Sequence, residues 1–102
     1  MMGSYLLMTN EAISSDIATR IKRYRLQAGY SQEDLSKKTG LSLHSISNIE
    51  TGKNITFDNL IKVLRALGLI NNVRLLVPDT LNSPFDELKR KSEPQRMYKK
   101  RL

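Results

Sequence analysis

The chain of 102 residues contains no cysteine. That absence excludes disulfides, thiolate metal sites and a cysteine nucleophile, and it fits a reducing, cytoplasmic setting. No apolar run approaches the ~20 residues a membrane-spanning helix needs. Tyr5-Leu6-Leu7-Met8 is also too short for the apolar core of a signal peptide. The sequence offers no nucleophile–histidine–acid arrangement, no cluster of metal ligands and no glycine loop that would cradle a phosphate. No enzyme activity, metal or cofactor is therefore expected, and no internal repeat is present.

An excess of charge is also missing from most of the chain, despite a net +7 and an isoelectric point near 9.9. Residues 1 to 88 carry ten Lys or Arg against nine Asp or Glu, a balance of +1. Residues 89 to 102 carry seven against Glu93 alone, a balance of +6. Overall basicity belongs to the tail and says little about specific binding by the rest.

What is present is a sequence of helix signals. Thr9 or Asn10 caps a long first helix in which Ile13, Ile17, Ile21, Tyr24 and Ala28 recur at helical spacing, and Gly29 ends it. Its exposed Arg20, Lys22 and Arg23 read either as a solvated face or as contacts to a phosphate backbone. Ser31, with Asp34 three residues on, starts a second helix with a short version of the capping box. Leu35 anchors that helix and Gly40 stops it in a left-handed conformation.

Leu41 then turns inward and Ser42 caps a third helix with apolar Ile46 and Ile49, closed by Gly52. This third helix keeps one short polar face: Leu43, His44, Ser45, Ser47 and Asn48. A capped helix with a dry back and a hydrogen-bonding front suits a DNA major groove. Gln32 at the start of the second helix, Ser42 at the start of the third and Lys53 just beyond it are placed to meet phosphates.

Thr56 caps a fourth helix with Phe57, Leu60, Ile61, Leu64 and Leu67 as its stripe, ended by Gly68. Leu69 to Val77 reads as a short fifth helix stopped by Pro78, although Val73-Leu76-Val77 also fits a strand. Ser83-Pro84-Phe85-Asp86 opens a sixth short helix to about Lys91. The organisation expected is an N-terminal extension (1–9), a helix-turn-helix domain (10–77), a turn with a short helix (78–91) and a basic disordered tail (92–102). The fold class is all-α, a compact bundle of five to six helices.

The segment Ser31 to Lys53 resembles the helix-turn-helix of the Cro and phage-repressor class, the XRE family. The residues that carry the resemblance are Gln32, Leu35, Gly40, Leu41, Ser42, Ile46, Ile49, Glu50, Gly52 and Lys53, in register without a gap. YRLQAGYSQ upstream also matches, with Arg25 at the arginine position of the family's first helix. Ser36 departs from the usual small apolar residue, and its hydroxyl is expected to bond back into its own helix. The likeness runs over about residues 16 to 68 and implies a lambda-repressor-like DNA-binding fold. It further implies base contacts by Leu43, His44, Ser45 and Asn48, phosphate contacts that include Arg23, and a structural ion pair between Arg25 and Glu50.

It also implies a homodimer on a palindromic double-stranded operator, acting as a repressor. The apolar surplus at Leu69, Ile70, Val73, Leu75 and Leu76 offers the interface. Leu75, which breaks the stripe, is the best single candidate. A looser likeness, resting on compact size, LRALGL, LLVPD and SPFDEL, is to HipB-type antitoxins, which would bind a HipA-like kinase toxin as well as DNA.

Overall fold

A computed structural model describes residues 4–80. Among them are four α-helices, two 3-10 helices and no strand. The helices are α1 (Asn10–Gln27), α2 (Gln32–Thr39), α3 (Leu43–Thr51) and α4 (Phe57–Ala66). The expected sixth helix at 83–91 and the basic tail at 92–102 lie outside the described residues.

Each α-helix starts where its sequence provides an oxygen for a free N–H. Thr9, Ser31, Ser42 and Thr56 accept from the backbone N–H three residues on, at Ala12, Asp34, Ser45 and Asn59. At Ser31 the capping box is complete, because the Ser31 N–H donates to Asp34 Oδ2 at 2.8 Å. That bond, followed by the Ser31 side chain, holds the Asp34 carboxyl below its ordinary pKa.

The core of this unit is Ile21, Leu35, Ile46, Ile49 and Val63, with Leu41, Ile55, Leu60, Leu64, Ala66 and Leu67 packed around it. Burying each of its larger side chains contributes about 1.5–3 kcal/mol. One residue from each of α1, α2 and α4 joins two from α3 in this core; the helix with the polar outer face packs on α1 and α2, and α4 packs on α2.

Two apolar stripes differ from the sequence reading. On α1 the buried line passes through Ala18, Ile21 and Arg25, while Tyr24 and Ala28 are exposed and Ile17 lies at the edge of exposure. Arg25 occupies the inward row because a carboxylate waits there. On α4 the centre is Val63, fully buried, whereas Phe57 is 58% exposed. Apolar residues fill two neighbouring rows of α4, and packing against α2 selects the row containing Val63.

Two further expectations are corrected. Ser36 Oγ donates to the Leu41 carbonyl across the turn at 2.5 Å rather than back into α2. The left-handed Gly40 brings that carbonyl over the helix end, and Thr39 Oγ1 takes the intrahelical Leu35 carbonyl at 2.8 Å. The segment after Gly68 forms a 3-10 helix, Ile70–Leu75, in place of the alternative helix or strand. The N-terminal extension holds a short 3-10 helix at Tyr5–Leu7, whose Tyr5 hydroxyl donates to Asp16 Oδ2 of α1 at 2.5 Å.

Candidate nucleic-acid interface

The interface is built from α2, the tight turn and α3. Behind α3, Ile46 and Ile49 are buried, which fixes the helix's rotation and turns the opposite residues outward. Its carboxyl end is fixed independently. Gly52 adopts φ +78°, and a Cβ built there would stand 3.1 Å from the Ser14 carbonyl oxygen. Only glycine allows both the left-handed turn and this close seat on the α1 backbone.

The Gly52 and Lys53 N–H groups close the helix end, with Lys53 N donating to the Asn48 carbonyl at 2.9 Å.

A buried polar clamp ties the assembly together. Arg25 is 6% exposed and Glu50 7%. Arg25 Nε donates to Glu50 Oε2 at 2.6 Å and Nη2 to Oε1 at 3.1 Å, a two-pronged pair. Arg25 Nη1 donates to the Tyr30 carbonyl at 2.8 Å. Gln32 Nε2 adds a third donor to the carboxylate, reaching Oε1 at 3.1 Å. One carboxylate at the end of α3 thus gathers the end of α1 and the start of α2. The role of Gln32 in this clamp was not read from the sequence, because its partner lies 18 residues away.

The outer face of α3 presents Leu43, His44 and Ser47 exposed, with Ser45 and Asn48 half-buried beside them. Ser42 Oγ donates to Ser45 Oγ at 3.1 Å, and Asn48 Nδ2 lies 3.3 Å from His44 Nε2. Ser42 and Lys53 flank this face at either end of the helix and are exposed. Arg23 is an exposed residue of α1.

Of the residues assigned to a dimer contact, Leu69, Ile70 and Val73 are half-buried, while Leu75 and Leu76 are 77% and 58% exposed. No group of three acidic or histidine side chains among the described residues could hold a metal ion. No helix among them is long and apolar enough to cross a membrane.

Two short helices at a tight turn, the second buried behind and polar in front, define a helix-turn-helix DNA-binding unit. A helix-turn-helix family profile matches residues 21–70. A crystal structure of a tyrosine-to-phenylalanine mutant of the restriction-modification controller protein C.Esp1396I is similar, with 32% identity and a TM-score of 0.54. The alignment covers 74% of this chain and 87% of that one. A comparison with curated protein sequences gave no match. The chain belongs to the XRE-type helix-turn-helix family of transcription regulators, whose partner is double-stranded DNA.

Proposed function

We propose that this protein is a sequence-specific repressor that binds a palindromic operator as a homodimer and acts in the cytoplasm. The observation that carries the reading is the clamp of Arg25, Gln32 and Glu50 behind α3. It holds a nine-residue helix by its back, while the polar side chains on its front bond only to one another and keep donors and acceptors for DNA.

In this reading α3 enters the major groove. Leu43, His44, Ser45 and Asn48 meet base edges, while Ser42, Lys53, Arg23 and the start of α2 at Gln32 meet phosphates. Gln32 keeps one N–H of its amide for that contact, since the other is given to Glu50.

One α3 reads few base pairs, so two copies on half-sites one helical turn apart supply the specificity. Leu69, Ile70, Val73, Leu75 and Leu76 provide the contact, and the high exposure of Leu75 and Leu76 supports this. The likeness to a controller protein, extending over most of both chains, favours a self-sufficient regulator over a HipB-type antitoxin with a kinase toxin as partner.

The test is a mobility shift with the DNA upstream of the chain's own gene across a salt series. A preferred palindrome bound far more tightly than random duplex, with a steep salt slope, is expected. Equal binding to random duplex would overturn sequence-specific repression.

A further inference from the structure

Two side chains on the outer face of α3 are already bonded to each other. Asn48 Nδ2 lies 3.3 Å from His44 Nε2, one helical turn away. With the amide nitrogen as donor, Nε2 accepts, an arrangement that requires a neutral ring with its proton on Nδ1. One N–H of Asn48 is thereby used, and the amide is fixed with Oδ1 and its second N–H free.

We propose that His44 is a positioning residue that sets the orientation of the Asn48 amide and so makes Asn48 a reader of adenine rather than guanine. The inference rests on the reading of the chain as a sequence-specific DNA binder. An adenine edge in the major groove presents one acceptor, N7, and one donor, the N6 amino group. A fixed amide showing one N–H and one carbonyl oxygen matches that pair. Guanine presents two acceptors, N7 and O6, so the fixed Oδ1 meets another lone pair.

An asparagine amide has a broad, nearly two-fold terminal torsion and turns over readily when nothing holds it. Without His44 the amide can aim its NH2 group at a guanine edge, and the discrimination falls. The neighbouring Ser42 hydroxyl donates to the Ser45 hydroxyl, 3.1 Å away, and not to the amide.

The experiment selects duplexes from a randomised pool with the full chain and then measures affinities for adenine and guanine at the half-site position that depends on Asn48. That position is identified as the one where Asn48→Ala abolishes the preference. The wild type is expected to favour adenine on the order of tenfold. His44→Ala should bring the ratio near one. His44→Gln, whose Oε1 can also accept from Asn48, should restore it. His44→Lys offers only donors, so it should turn the amide over and move the preference toward guanine.

Nitrogen chemical shifts of the imidazole in the free protein supply a readout independent of DNA, with the Nδ1–H tautomer expected. An adenine preference unchanged in His44→Ala, no difference between His44→Gln and His44→Ala, or an Nε2–H tautomer would each overturn the positioning role alone. A wild-type protein that selects no duplex would overturn both this inference and the proposed repressor function.

Discussion

Arg25 and Glu50, 25 residues apart in sequence, meet with Nε 2.6 Å from Oε2 in space almost closed to water. Removing one partner strands the other charge, which costs roughly 3–5 kcal/mol. Glu50→Ala is therefore expected to lower the melting temperature by about 4–8 °C per kcal/mol lost, followed by far-UV circular dichroism. DNA affinity should fall with it, because α3 loses its fixed end. Replacing both residues by leucine should recover only part of the loss. The Tyr30 carbonyl and the Gln32 amide would still lack the bonds at 2.8 and 3.1 Å that the pair now gives them. An unchanged melting temperature in Glu50→Ala would contradict the burial of the pair.

Alanine substitutions separate the two demands made on Gly52. Gly40 and Gly52 share φ +78°, but a Cβ at Gly40 meets nothing within 4 Å. Gly40→Ala should cost the backbone penalty alone, about 1–2 kcal/mol. Gly52→Ala should cost a further ~1 kcal/mol or more, because α1 and α3 must part to admit the methyl group. Equal denaturant midpoints for the two variants would show that the close approach to Ser14 is of no consequence.

Two titrating groups mark opposite ends of the pH range. The bond to Asp16, followed by desolvation, raises the Tyr5 pKa above 10.0. Its contribution is full below the ordinary tyrosine range and is lost as pH rises through the raised value. The Asp34 pKa is lowered from 3.8, so the capping box contributes fully above that value and is lost as pH falls through the depressed one. Proton NMR should show the Tyr5–Leu7 turn releasing from α1 in alkali but not at neutral pH. Tyr5→Phe should abolish this alkaline transition and leave the acid one intact. A transition that persists in Tyr5→Phe would assign it to another group.

Leu75 tests the dimer without disturbing the core. At 77% exposure its replacement by aspartate removes little internal packing, so helical content should be unchanged. Sedimentation at micromolar concentration should show a dimer for the wild type and a shift to monomer for Leu75→Asp. A monomeric wild type would remove the interface assigned to this segment.

The parts of the fold that depend on neighbouring residues were legible in the sequence. Ser31, Ser42 and Thr56 cap where their hydroxyls predict, and Gly40 and Gly52 take the left-handed conformation, because each decision is made within four or five residues. Choices between adjacent helix rows were not legible. Tyr24 and Arg25 exchange places relative to the apolar pattern, and Val63 displaces Phe57 from the centre of α4, because tertiary packing decides which row turns inward. The clamp was half-visible. Arg25 and Glu50 came from family resemblance, while the bond from the Gln32 amide to the same carboxylate gave no local signal.

The same clamp has an evolutionary consequence. Three donors from two side chains converge on one carboxylate, so a change at Arg25, Gln32 or Glu50 leaves the others with unmet partners. These positions form a linked set in which a single step is penalised more than a joint one. Leu43, His44, Ser45 and Asn48 carry no such debt to the interior. In the proposed reading this face can therefore change on a scaffold that stays constant, with His44 and Asn48 changing as a pair because one holds the other's amide.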